Sequence, residues 1–304
     1  MISIRKLYKT YKGAAVPALN GIGFDVRKGE IFGLAGPDGS GKTTLFRILA
    51  TLLEPDQGMI LMQDMDVVRE YRKIRKIIGY MPGRFSLYPD LSVSENLRFF
   101  ATIHGTTPDK NFDIIRPIYE SLEPFKHRPA GKLSGGMKQK LALCSALIHQ
   151  PSVLLLDEPT TGVDPVSRKE FWDILEDLRV TGMTIMVSTP YMDEAARCDR
   201  IGLIRHGQIM ALDTPHGIIQ QFPKPLYSLK APNIRKILPQ IKDHKGVDSC
   251  YSFGNSLHIT LREGYAPERI FGNHGEMCRT GFQWDQIQPT IEDCFIQLMH
   301  THEN

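Results

Sequence analysis

An apolar stretch, Ile31, Phe32, Gly33 and Leu34, runs into Gly36, Pro37, Asp38, Gly39, Ser40, Gly41, Lys42 and Thr43, and Leu45 to Leu53 continues with helical spacing. A glycine-rich turn between a strand and a helix, closed by Lys and Thr, is suited to cradling polyphosphate. Its glycines let backbone N–H groups approach phosphate oxygens, and the helix N-terminus adds positive potential. Lys42 would reach the β and γ phosphates and Thr43 would hold Mg2+ through its hydroxyl. The spacing therefore predicts a nucleoside triphosphate site.

Further along, Val153, Leu154, Leu155 and Leu156 form a continuous apolar run ending in Asp157 and Glu158. That pattern suits a buried parallel strand with two carboxylates at its end. Asp157 is expected in the outer shell of the metal site, and Glu158 as the general base that polarises an attacking water. Between these segments, Leu133, Ser134, Gly135, Gly136, Met137, Lys138 and Gln139 open another helix. Ser134, Gly135 and Gly136 would form a second phosphate-facing N-terminus. One triphosphate needs one cradle, so the second points to the nucleotide of another protomer.

Taken together, these motifs resemble the ATP-binding subunit of ABC transporters over about residues 1 to 215. Gly36 to Thr44 is similar to the Walker A loop, Leu133 to Gln139 to the signature, and Leu154 to Pro159 to Walker B. Thr161, Gly162, Val163 and Asp164 resemble the D-loop. Tyr11 is similar to the aromatic residue that stacks on adenine, an interaction worth roughly 1 to 3 kcal/mol. No guanine-reading NKxD motif is present, consistent with ATP. The resemblance implies an α/β P-loop NTPase core of ABC type with a helical subdomain near 84–150. It also implies ATP and Mg2+ as cofactors and a head-to-tail dimer with a second ABC ATPase subunit. Tyr80 to Phe100 resembles the stretch after the Q-loop that docks a membrane permease, with Phe85, Leu87, Tyr88 and Leu91 lining a groove. The closing Ile291 to Met299 is similar to the end of ABC-2 type exporter ATPases, which implies export as the function.

Two positions depart from that pattern. Gly83 stands where the family has the Q-loop Gln, and Pro190 where it has the switch His. Neither can offer a side-chain hydrogen bond to a γ-phosphate or a water. Losing one such donor commonly costs about a hundred to a thousandfold in rate. The expectation is intact binding with slow hydrolysis at this chain's own site, and Ser134 completing a partner's site in an asymmetric heterodimer. A regulatory subunit that binds ATP without hydrolysing it is the alternative. Asp38, where the family more often has Asn, is expected to face solvent with little effect.

The elements that must position these groups follow from patterning. Residues 1 to about 35 alternate and read as short strands, Phe112 to Leu122 and Phe171 to Arg179 as helices, and Thr184 to Ser188 and Ile201 to Ile204 as strands. Ser94 with Asn96 is expected to open a helix. Pro215, Pro223, Pro225 and Pro232 mark a linker, so residues 1–215 are expected as the ATPase domain and 216–304 as a small α+β domain. In the latter, Ser256 to Leu261 alternates and Ile291 to His300 closes as a helix.

Composition narrows the partners. The chain has 304 residues, 41% hydrophobic and 23% charged, enough for a sizeable core. Its net charge of +3 offers no basic stripe, so nucleic acid is not expected as a partner. A soluble ABC protein of the ribosome or DNA would resemble two cassettes in one chain or carry a long coiled coil, and neither pattern is present. No apolar run reaches the roughly 18 residues of a spanning helix, and the start lacks a secretory h-region. The expected place is the cytoplasmic face of the plasma (inner) membrane. Cys144, Cys198, Cys250, Cys278 and Cys294 contain no CxxC pair and read as reduced, buried thiols. His216, His244, His258, His274, His300 and His302 crowd the tail without metal-ligand spacing.

Overall fold

All five residues of Val153–Asp157 are buried, as are all five of Ile31–Ala35. Such runs are stable only as strands covered on both faces. They lie in a six-stranded sheet in a computed structural model that describes residues 1–271 and 282–301. His274, Cys278 and His302 fall outside the described residues. The contacts divide the chain into two units, 1–218 and 219–304.

The first unit opens with β1 (Ile2–Lys9) and β2 (Leu19–Val26), an antiparallel pair, followed by β3 (Ile31–Ala35) and helix α1 (Lys42–Leu49). Next come β4 (Gln57–Met62), β5 (Met65–Asp66), α2 (Tyr71–Ile77) and β6 (Ile78–Met81), none of which the patterning announced. Strand β4 is exposed at its first three positions and β6 has four residues, too short for a periodicity to register. Helices α3 (Val93–Ile103), α4 (Phe112–Tyr119) and α5 (Gly135–Leu147) form the helical region. After β7 (Val153–Asp157) follow α6 (Pro165–Val180), β8 (Thr184–Thr189), α7 (Met192–Ala195), β9 (Arg200–Arg205), β10 (Gln208–Asp213) and α8 (Pro215–Gln220). The segment read as a proline-marked linker thus begins as a helix.

Strands order β10-β9-β3-β8-β7-β6 in the main sheet, parallel from β9 to β6, with β10 antiparallel at the edge. A second, antiparallel sheet orders β2-β1-β4-β5. One core cluster joins the two: Ile4, Phe24 and Ile60 from the antiparallel sheet pack with Phe32, Leu155 and Met186 from the parallel one, and with Leu45 and Phe46 of α1. Helix α1 is thereby wedged with its N-terminus at the carboxyl ends of the parallel strands. Ligand crevices of open α/β sheets lie there.

Helix α3 begins two residues earlier than expected. Its N-cap is Ser92, whose hydroxyl accepts from the Glu95 N–H while Glu95 accepts from the Ser92 N–H, a capping box. Asn96 does not open the helix. It is fully buried, accepts from the Tyr88 N–H at 3.0 Å and donates to the carbonyls of Tyr88, Leu91 and Ser92.

The second unit runs β11 (Leu226–Lys230), α9 (Ile234–Lys242), β12 (Val247–Phe253), β13 (Ser256–Leu261), α10 (Pro267–Phe271), β14 (Gln283–Ile287) and α11 (Ile291–Thr301). The antiparallel order β12-β13-β11-β14 gives the β-α-β-β-α-β arrangement of ferredoxin-like folds. Strand β13 alternates in sequence but is buried at all six positions, because it is an inner strand covered on both faces. Its His258 is buried and hydrogen-bonded through Nδ1 to Asp293 Oδ1 at 2.6 Å. Cys144, Cys198, Cys250 and Cys294 are buried, and burial raises the pKa of each thiol.

Candidate nucleotide site

The turn from β3 into α1 must reverse direction within six residues without filling the space above the helix. Gly41, the N-cap of α1, has φ of +109°, and a Cβ there would collide with the Ala18 carbonyl. At Gly36 a Cβ would strike the Ile204 carbonyl. The loop is therefore bare backbone at both ends. Asp38 faces solvent, as expected.

Lys42 is only 3% exposed, an unusual burial for an ammonium. Its Nζ donates to the Gly36 carbonyl at 2.7 Å and the Pro37 carbonyl at 3.0 Å, and lies 3.1 Å from Glu158 Oε1. Thr43 Oγ1 donates to Asp157 Oδ1 at 3.3 Å. The phosphate-loop residues and the carboxylates of β7 therefore meet, although they are more than a hundred positions apart in the chain. Burial raises the Asp157 pKa, against hydrogen bonds from Ser188 and Thr43 that lower it. Glu158 sits just past the strand with φ of +51°, a left-handed conformation that a non-glycine residue adopts at a cost. Its N–H is held by both the carbonyl and the hydroxyl of Ser188.

Ser40 Oγ is buried without a hydrogen-bond partner. A buried hydroxyl left unsatisfied inside a turn of N–H donors suits an anionic oxygen. Tyr11, 40% exposed, places its hydroxyl 3.3 Å from Thr44 Oγ1, at the mouth of the loop.

Ser134 caps α5 by accepting from the Met137 N–H at 3.3 Å, and Ser134 and Gly135 face solvent. Gly136 is buried against Ser167, and Gly135 lies near the Gly162 carbonyl. Among the described residues no hydrogen bond or ion pair joins 134–136 to 36–44. Within one chain, the two expected cradles stand apart.

Gly83 lies beside the carboxylate pair: a Cβ there would be 3.0 Å from the Asp157 carbonyl and 3.8 Å from Glu158 Cβ. Pro190 directly follows β8, whose last residue, Thr189, accepts from the Gly36 N–H at 3.2 Å. Of the four residues expected to line a groove, Leu87 alone lines the nearby cavity of about 260 Å³, with Leu52, Arg75, Tyr80, Phe100 and His149. Phe85 and Tyr88 are exposed instead, with Tyr88 edge-on to Phe99 at 4.7 Å and Lys138 Nζ 5.6 Å from the Phe85 ring, while Asn96 holds the backbone of Tyr88, Leu91 and Ser92.

Sequence reasoning missed Ser188, whose hydroxyl donates to Asp157 Oδ1 at 2.6 Å. It also passed over Thr160, Thr189 and Glu194, which are buried and bonded to one another. For Ser188 and Thr189 the signal was polar residues ending an apolar run; Thr160 and Glu194 lie outside such runs and offered none.

A glycine loop at the carboxyl end of a parallel strand, a buried lysine and a facing carboxylate pair define a nucleotide-binding P-loop protein. Residues 19–161 match the family described as ABC transporter. The chain is 36% identical over 303 residues to the probable multidrug ABC transporter ATP-binding protein YbhF of Escherichia coli, covering 98% of this chain but 52% of that protein. It thus spans about half the length of the first curated relatives it matches. The Nod factor export ATP-binding protein I of Rhizobium sp. is 38% identical over 296 residues, with 92% of this chain and 91% of that one covered. Among solved structures, a dimeric ATP-binding cassette in a post-hydrolysis state with ADP and Pi superposes at a TM-score of 0.64, with 25% identity over 70% of this chain and 98% of that one. CbiO1 of Clostridium perfringens, part of a transporter complex, gives 0.64 with 26% identity, covering 79% and 96%. The chain belongs to the ABC transporter ATP-binding family, and its fold is that of the family's α/β cassette.

Proposed function

We propose that this chain is the motor subunit of an ABC exporter, binding and hydrolysing ATP to drive a membrane permease. The observation that carries the reading is the convergence of Lys42 and Thr43, at the N-terminus of α1, with Asp157 and Glu158, at the end of β7. Gly36 to Thr44 wrap the phosphates, and Tyr11 offers its ring to adenine. The Thr43 hydroxyl and Asp157 are the residues that would hold Mg2+, which neutralises charge on the phosphates. Glu158 accepts the proton of the water that attacks the γ-phosphorus, giving ADP and phosphate. Before doing so its carboxylate must leave Lys42.

Exposed Ser134 and Gly135 fit a cradle that serves a second subunit, so two nucleotides lie between head-to-tail cassettes. The exposed Phe85 and Tyr88, with the cavity beside them, suit a permease segment reaching the chain from the cytoplasmic face of the membrane. No described helix is long and apolar enough to cross a membrane.

Gly83 and Pro190 favour a slow site in this chain, paired with a fully equipped partner. A subunit that binds ATP without consuming it is the second reading, supported by the same two residues. The deciding measurement is ATP turnover by the purified chain with Mg2+, alone and with its permease. Turnover abolished by Glu158→Gln supports the motor. Nucleotide binding without turnover in both settings sinks it and leaves the regulatory reading.

A further inference from the structure

Glu194, in the short helix α7, is 3% exposed and does not touch Lys42 or Asp157. Its carboxylate accepts from Thr160 Oγ1 at 2.6 Å, Thr189 Oγ1 at 2.5 Å and Arg168 Nε at 3.0 Å. These donors belong to three segments: the loop after β7, the end of β8 and the start of α6. Thr160 is two residues beyond Glu158. Thr189 precedes Pro190, accepts from the Tyr191 N–H through its hydroxyl and from the Gly36 N–H through its carbonyl. Arg168 also pairs with Asp193 and lies over the Tyr191 ring at 4.3 Å. One buried carboxylate therefore ties together the backbone that carries Glu158, the backbone that carries Pro190 and the first residue of the phosphate loop.

Burying a carboxylate is costly unless its oxygens are satisfied, and this one is held by two hydroxyls and a guanidinium. The Ser188 and Thr189 hydroxyls are given to Asp157 and Glu194, and Pro190 has neither a side-chain donor nor an N–H. What these bonds govern is therefore where the two loops lie: Thr160 is two residues from Glu158, and Thr189 adjoins Pro190 and holds the Gly36 N–H. We propose that Glu194 is a positioning residue which, through Thr160, Thr189 and Arg168, sets the loops around the γ-phosphate position and thereby the preference for a triphosphate over a diphosphate. The proposal rests on reading Gly36 to Thr44 as an ATP site.

The test measures the affinity of the purified full chain for a non-hydrolysable ATP analogue and for ADP, in parent, Glu194→Gln, Thr189→Val and Thr189→Ser. Glu194→Gln is expected to weaken the analogue by about tenfold, ~1.4 kcal/mol, while ADP changes by less than about twofold. Thr189→Val is expected to move in the same direction and Thr189→Ser to restore the parent ratio. Should Glu194→Gln fail to fold, the Thr189 pair decides. Equal losses for both nucleotides, or no loss for either, would overturn the positioning role. If the parent binds neither nucleotide, the ATP-site reading has failed, and this inference with it, before any variant is compared.

Discussion

Lys42 Nζ and Glu158 Oε1 lie 3.1 Å apart, so the cation expected to bind the γ-phosphate and the base expected to activate the water are paired with each other. A phosphate oxygen reaching Lys42 competes directly with the carboxylate. On the proposed ATP-site reading, nucleotide binding would free the base at the moment it is needed.

Replacing that base tests both halves of the relationship. Glu158→Gln keeps the shape and removes the charge, so ATP turnover should fall by about a hundredfold or more, within the range of lost general bases. Nucleotide affinity should hold or rise, since Lys42 no longer has an anionic competitor. Phosphate release and equilibrium binding on the same preparation check this, and a loss of binding would count against the pairing.

Pro190→His is the cleaner way to restore a γ-phosphate donor. Turnover should rise by about tenfold or more if the native site is slowed by its absence. Gly83→Gln should help less, because its Cβ would sit 3.0 Å from the Asp157 carbonyl and displace the strand end that carries the carboxylates. Steady-state assays of the two single variants separate these effects; equal gains would contradict the steric argument.

Asn96→Ala removes the side chain that holds Tyr88, Leu91 and Ser92 in place. Leaving the part-buried Tyr88 N–H and the carbonyls of Tyr88, Leu91 and Ser92 without this partner should cost about 1 to 3 kcal/mol in a urea titration. Basal turnover should be nearly unchanged, and stimulation by a permease should fall, because the loosened segment carries Tyr88.

Acid stability in the second unit depends on Asp293. Burial pushes its pKa up, but hydrogen bonds from His258, Thr290 and Tyr251 outweigh that and hold it at about 2 against an ordinary 3.8. A depressed carboxylate stabilises the fold above its unfolded pKa and loses that contribution as pH falls through the folded one. The shift corresponds to ~2 kcal/mol. Asp293→Asn should therefore lower the urea midpoint by a constant amount from neutral pH down to about 4, with the gap closing between about 4 and 2. A gap that widens on acidification would reverse the sign.

Local order explains what could be read without coordinates. Gly36 to Thr43 occupy one turn, and a turn's chemistry is contiguous, so its residues and flanking strand and helix were legible. The same holds for Val153 to Glu158 and for Ser134 as a cap. The Ser92 cap was misplaced by one polar residue because Ser94 and Asn96 lie within the same turn, and only burial tells which of them faces the core. Strands β4, β5 and β6 were invisible because they are short or exposed, and pairing rather than patterning makes them strands.

The sequence alone determined the site's residue types, the α/β class and the two departures at Gly83 and Pro190, since each depends on neighbours in the chain. Tertiary structure alone decided which groups meet. Thr43 finds Asp157 across 114 positions, and Thr160 finds Glu194 across 34. Those distances close only when β3, β7 and β8 lie side by side in one parallel sheet, an arrangement set by burying apolar faces along the whole chain and not by any single motif.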